Sequence, residues 1–209
     1  MQTPSVLQLS QFRVHIKKFV EFTDEEWDIF TAQLYLKKFK KKELFITPGK
    51  VCHEGGFILK GGFRTYFIKD GVEMSSYFCF QNEFISSYRS FLKRIPGGIY
   101  IDAMHDSDLV CFTNASLQNM LADQRIAFKI EHFGRTLAEY YICCYEERVL
   151  SFLSQTPEER YIQLLESQPS FLQLVPQHYL ANYLGVTPVS LSRIRKRILE
   201  SQAGRKIAS

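Results

Sequence analysis

The chain has 209 residues, 45% of them hydrophobic and 14% aromatic, with a net charge of +4. That is enough for one large or two small folded domains, and it argues against a disordered chain. No apolar run reaches the roughly 18 residues a bilayer span needs, and Met1-Gln-Thr-Pro-Ser-Val lacks the charged-then-apolar order of a signal peptide, so a cytoplasmic protein is expected.

In chain order, a Thr23-Asp-Glu-Glu26 capping box and the only tryptophan, Trp27, predict a short helix leading into Leu34 to Phe39. The run Lys37-Lys-Phe-Lys-Lys-Lys42 lies where the pattern changes and reads as a solvated face. From Glu43 to Thr113, short segments rich in Phe, Tyr, Ile and Val are broken by Pro48-Gly49, Gly55-Gly56, Gly61-Gly62, Asp70-Gly71 and Pro96-Gly-Gly98. This punctuation predicts a small antiparallel roll, with strands near 44–47, 51–60, 62–69, 72–80, 99–104 and 108–113. Asp70-Gly71 is the strongest hairpin signal. The five cysteines, Cys52, Cys79, Cys111, Cys143 and Cys144, are odd in number and set among apolar residues, so they read as reduced core thiols.

The period then changes to helical from about Ser116 to Leu153. Ile126, Ile130, Phe133, Leu137, Tyr140 and Cys144 are spaced 4, 3, 4, 3 and 4, the seam of a left-handed helix pair. A helix lying on its own roll would bury part of the same stripe. However, Phe128, Tyr141, Tyr145 and Val149 fall off it, so the helix presents two apolar sides, one for its roll and one for another copy. A homodimer is expected, with the six-residue seam as its interface. Thr156-Pro-Glu-Glu159 starts a fresh capped helix, which divides the chain into residues 1–153 and 154–209.

The most informative segment runs from Pro176 to Arg197. Ala181 is small enough for two helices to cross closely, and Gly185 suits a left-handed helix end. Thr187-Pro188 can cap and start the next helix. Leu180, Leu184, Val186, Leu191 and Ile194 supply the apolar contacts of a helix-turn-helix, leaving Val189, Ser190, Ser192, Arg193 and Lys196 to project from the second helix. From Pro176 to Ser209 there are six Lys or Arg and one acid, a net +5, whereas the remaining 175 residues carry a net −1. A solvated basic helix would share that charge, but the small, turn and capping residues in register favour a double-stranded DNA partner.

With roll, long helix and helix-turn-helix in this order, the chain resembles the Crp/Fnr family of transcription regulators, most closely its Bacteroidetes-type branch. The resemblance spans nearly the whole chain. It is carried by Pro157-Glu-Glu-Arg-Tyr161, Val175-Pro176, Tyr183-Leu-Gly-Val-Thr-Pro188 and Leu191-Ser-Arg-Ile-Arg195, and more weakly by Phe57-Ile-Leu-Lys-Gly61 and Ser90-Phe-Leu92. It implies an α+β fold with an effector-binding β-roll, a dimerisation helix and a winged helix-turn-helix that binds a two-fold operator. It also implies that Arg193 reads a base and that Gln177, Thr187, Ser190 and Lys196 contact phosphates. Where cyclic-AMP-dependent members carry an arginine and a glutamate at the start of the recognition helix, this chain has Pro188 and Val189.

The roll departs further from the family. Ser87 falls where cyclic-nucleotide-binding members carry a ribose-binding glutamate, and Gly97-Gly98 falls at their phosphate-gripping Arg-Ser pair. An anion there would lack its charged fork, so cyclic AMP is not expected. Arg64, Arg89 and Arg94 are the remaining arginines that could reach an anionic effector, and no effector-binding residue is assigned. His53, His105 and His132 are isolated and read as structural rather than as haem ligands. A cupin-like metal enzyme would need several histidines and a carboxylate to converge, and a ligand-binding adaptor without DNA binding is the other alternative. The expectation is a non-enzymatic transcription regulator with no catalytic residues, metal or cofactor, and the roll leaves open both whether a small-molecule effector binds there and which one.

Overall fold

A computed structural model describes residues 2–167 and 169–207, without the side chains of Ser170 and of residues 201–207. Two compact units emerge: residues 1–67 with 77–143, and residues 68–76 with 144–209.

The first unit is a β-roll of two four-stranded antiparallel sheets. One sheet has the order β1 (Tyr35–Phe39), β8 (Ser107–Thr113), β3 (Glu54–Lys60), β6 (Phe84–Ile85). The other has the order β2 (Leu44–Ile46), β7 (Tyr100–Ala103), β4 (Gly62–Lys69), β5 (Val72–Phe80). Alternation along the strands directs Phe39, Ile58, Phe63, Cys79, Ile101, Leu109 and Cys111 into the space between the sheets, where all are buried. Asp70 (φ 53°) and Gly71 (φ 76°) both take the left-handed conformation that a two-residue hairpin with the native twist demands.

The outer face of the first sheet, through Leu36, Phe57, Leu59 and Val110, packs on helices α1 (Val6–Ile16), α2 (Asp24–Thr31), α4 (Asn114–Ala122) and the start of α5 (Ala127–Ser154). Phe12, Trp27 and Phe30 form an aromatic cluster there, with ring centroids 5.6 to 5.9 Å apart. The expected strands are present within a few residues. Two strands were not foreseen: β1, whose alternation is obscured by the lysine run, and the two-residue β6. Lys37 pairs with Glu54 at 2.6 Å, while Lys38, Lys40, Lys41 and Lys42 are exposed.

Three expectations are corrected. The helix expected from 116 to 153 is broken between α4 and α5. Asp123 is extended (φ −84°, ψ 106°), and its carboxylate accepts from the Arg125 main-chain N–H at 3.0 Å, a local bond that competes with helix continuation.

The second correction concerns the seam. Ile126, Ile130 and Phe133 are 1%, 3% and 8% exposed, buried in the core of their own chain and so not available to another copy, and the partly buried Leu137 packs against the same cluster. Tyr140 is half exposed and Cys144 is intermediate. The open apolar side of α5 is instead Phe128, Ile142, Tyr145, Val149 and Leu153.

Third, no strand is found among the described residues between α6 (Pro157–Ser167) and α9 (Pro188–Ile207). A short helix, α7 (Pro169–Leu174), and α8 (Gln177–Leu184) lie there instead.

Candidate nucleic-acid interface

The α8–α9 corner forms as its residues dictate. Leu180, Ala181 and Leu184 are buried on α8. Gly185 follows at φ 75°, ψ 30°, and the Val186 N–H returns to the Ala181 carbonyl (3.0 Å) while the Gly185 N–H returns to that of Asn182 (3.1 Å). These are the paired bonds of a left-handed helix stop. The Thr187 hydroxyl accepts from the Ser190 N–H at 3.2 Å, capping α9, and Pro188 occupies the first helical position.

Along α9, Leu191, Ile194 and Ile198 form the buried stripe. The other predicted site residues lie outside it. Thr187, Val189, Ser192, Arg193 and Lys196 are exposed, Ser190 is half-buried, and Gln177 at the start of α8 is exposed. Val189 is 62% exposed. Arg193 makes no ion pair among the described residues, and Lys196 reaches Glu200 only at 3.8 Å. The helix therefore presents cationic side chains that solvent or a polyanion can reach.

Beside this face runs a groove of about 530 Å³ lined by Thr156, Glu158, Val186, Ser190, Arg193 and Arg197. Arg197 donates to the Glu158 carboxylate at 2.5 Å. Neither residue was singled out from sequence, although Arg197 stands four residues after Arg193 and hence on the same helical face.

Two other arginines, also without a role assigned from sequence, hold the corner. Arg160, 8% exposed, donates through Nη1 to the Gln155 carbonyl (2.5 Å) and the Ser151 carbonyl (3.4 Å), and through Nη2 to the Leu184 carbonyl (2.8 Å). One guanidinium thus closes the C-terminal ends of both α5 and α8, whose last carbonyls have no partner within their helices. Burial lowers its pKa. The Phe152 ring lies 4.5 Å from Arg160 on one side, and Arg148 covers Phe152 (4.7 Å) and Tyr183 (3.4 Å) while donating to the Tyr183 carbonyl. A Cβ on Gly185 would stand 3.3 Å from Phe152, so the corner leaves little room there for a side chain. Within the same unit the Asn182 amide donates to the Glu73 carbonyl at 2.8 Å.

In the roll, Ser87 and Gly97 face each other: a Cβ on Gly97 would stand 3.0 Å from the Ser87 hydroxyl. The arginines considered for an anion are committed elsewhere or exposed. Arg64 is fully buried and makes a two-bond pair with Asp102 (3.1 and 2.9 Å). Arg94 donates to the Cys52 and Phe91 carbonyls and approaches His53 at 2.7 Å. Arg89 is exposed. Among the described residues no three His, Cys, Asp or Glu side chains converge as metal ligands would, and no helix is long and apolar enough to cross a membrane.

No family model matches the sequence, and no curated protein matches it. Solved structures do match. A protein of Eubacterium rectale assigned to the Crp/Fnr transcriptional regulators superposes with a TM-score of 0.67 at 16% identity, covering 86% of this chain and 85% of that one. The c-di-GMP responsive global regulator CLP of Xanthomonas campestris gives 0.66 at 14% identity, covering 86% and 93%. The fold is that of the Crp/Fnr transcription regulators. A cyclic nucleotide-binding domain from Methylobacillus flagellatus gives 0.61 at 15% identity and covers only 68% of this chain and 82% of that one. The larger coverage by the first two structures extends the likeness beyond the roll to helices of the second unit.

Proposed function

We propose that the protein is a cytoplasmic, homodimeric, sequence-specific DNA-binding transcription regulator of the Crp/Fnr type. The carrying observation is the exposed row Val189, Arg193 and Lys196 on a capped helix whose opposite stripe is buried, in the segment that holds the chain's excess positive charge. Such a helix fits a major groove, with Arg193 able to give two hydrogen bonds to guanine O6 and N7, and with Gln177, Thr187, Ser190, Ser192 and Lys196 placed for phosphates or base edges.

The second copy docks on the open side of α5. Ile142, Tyr145, Val149 and Leu153 are spaced 3, 4 and 4 and are at least half exposed, a helical stripe that a parallel partner would cover. Two reading heads carried in this way would meet half-sites ~34 Å apart, one turn of duplex. The roll takes no cyclic AMP, because Ser87 and Gly97 bring neither a carboxylate nor a guanidinium to the positions that match the nucleotide grip. The transcription regulators among the structural neighbours favour a regulator over a metal enzyme or an adaptor, and any effector of this chain is a small molecule of another kind.

Incubating the full-length protein with random duplexes and sequencing the retained ones tests the proposal. A two-fold motif with half-sites one turn apart is expected; indiscriminate retention, or none, overturns it. Calorimetry with cyclic AMP should give no binding heat, and a micromolar affinity would overturn that part.

A further inference from the structure

Val189 is an apolar, β-branched side chain in the first turn of α9, 62% exposed, and the fold makes no use of it. The buried stripe of the helix runs through Leu191, Ile194 and Ile198 on another side. Capping belongs to Thr187 and Ser190, whose hydroxyls lie 3.0 Å apart. Valine is also a poorer helix former than alanine or the longer straight-chain residues, so local propensity does not favour it here. Its position relative to Arg193 gives it a use. The two stand four residues apart, hence on one face, separated by roughly 6 Å along the axis.

On a duplex that advances ~3.4 Å per base pair, this distance spans one or two steps. The side chain four residues from a guanine-reading arginine therefore meets the edge of a base pair close by. Two methyl groups cannot donate or accept a hydrogen bond, and facing a cytosine amino group or a purine N7 they would only displace water. One major-groove feature is complementary to them, the 5-methyl group of thymine.

We infer that Val189 reads thymine: its methyl groups pack against the 5-methyl of a thymine one or two base pairs from the guanine held by Arg193, in each half-site. The inference rests on the DNA-binding reading above. It makes hydrophobic burial, rather than a second charged contact, the source of selectivity at that position.

The test uses the full-length protein and a duplex recovered from the random-library selection, resynthesised with deoxyuridine replacing one thymine at a time. Uracil pairs as thymine does and lacks only the methyl. At one position per half-site, one or two steps from the base pair whose exchange is sensed through Arg193, the replacement should weaken binding about fourfold, the effect of one lost buried methyl. In Val189→Ala the same replacement should change binding less than twofold, while Arg193-dependent discrimination persists. If binding persists with Arg193-dependent discrimination but no thymine responds to demethylation, or if Val189→Ala responds as strongly as the parent chain, the thymine contact is wrong and the DNA-binding reading stands. If no duplex is retained at all, the DNA-binding reading itself falls.

Discussion

Arg197 on α9 donates to the carboxylate of Glu158, the second residue of α6, across 2.5 Å at the edge of the groove that Arg193 also lines. The pair places an internal anion where a phosphate would compete for the same guanidinium. Glu158→Gln should therefore tighten binding to any duplex several-fold at low salt and steepen the dependence of log K on log salt by about one unit, read by fluorescence anisotropy at several salt concentrations. An unchanged slope would show that Arg197 stays clear of the phosphates.

Arg193 and Lys196 should differ in kind. Arg193→Ala should lower affinity for the selected duplex by about 1–3 kcal/mol and relax the preference at one base pair per half-site. Lys196→Ala should weaken all duplexes alike and flatten the salt slope by about one unit. Mobility-shift titrations against selected and scrambled duplexes separate the two outcomes, and equal binding of the selected duplex by Arg193→Ala and the parent would remove this residue from the reading face.

The two sides of α5 should separate oligomeric state from folding. Ile142→Glu or Val149→Glu puts a charge on the open side and should yield a monomer in sedimentation analysis with a near-normal unfolding transition. Ile130→Ala excavates the chain's own core and should cost about 2–5 kcal/mol in urea unfolding while the dimer persists. A monomeric Ile130→Ala together with a dimeric Ile142→Glu would reverse the assignment.

Two carboxylates should give stability opposite pH dependences. Burial raises the pKa of Glu83, whose side chain accepts the Phe80 N–H at 2.6 Å. The folded chain therefore holds this proton above the ordinary carboxylate range, and its contribution to stability declines as pH climbs from that range through the raised value. Glu26 is lowered, chiefly by its bond to Lys129 and then by the Thr23 N–H, so its contribution is present above the ordinary range and is lost as pH falls through the depressed value. Urea midpoints from about pH 3 to about pH 8 should show Glu83→Gln removing the upper decline and Glu26→Gln removing part of the acid loss. A Glu83→Gln profile parallel to the parent's would contradict the first assignment.

Arg160→Met keeps bulk and removes every donor. Because the Gln155 and Leu184 carbonyls would lose their short bonds, the change should cost about 3 kcal/mol or more, with the loss concentrated in amide-exchange protection of the end of α5 and of α8. Protection equal to the parent's would mean that water replaces the guanidinium without penalty.

What could be read from the sequence follows from where the specifying physics is local. Gly185 with Thr187-Pro188 needs only neighbouring residues to stop one helix and start another, and Asp70-Gly71 carries its own turn geometry, so both were legible. The orientation of α5 was not. Ile126, Ile130 and Phe133 repeat with the same period as the open side, and a period does not say which side meets the chain's own sheet. The N-terminal helix was within reach, since Ser5 and Gln8 form a reciprocal cap of the kind recognised at Thr23 and Glu26. The wing came with the family resemblance alone, and the residues between α6 and α8 gave it no support. Arg160 was hidden for another reason: its acceptors are main-chain oxygens 5, 9 and 24 residues away, and carbonyls leave no mark in a sequence.

That last property bears on which substitutions the corner can absorb as the sequence drifts. Every residue offers the same carbonyl, so Ser151 and Gln155 can be exchanged without altering what the guanidinium grips, and Leu184 is constrained by its own burial rather than by this bond. Position 160 has no such latitude, since lysine carries its three donors on a single nitrogen and cannot span acceptors that Arg160 reaches with two. Among descendants of this chain, the joint at the end of α5 should therefore keep its arginine while its surroundings vary.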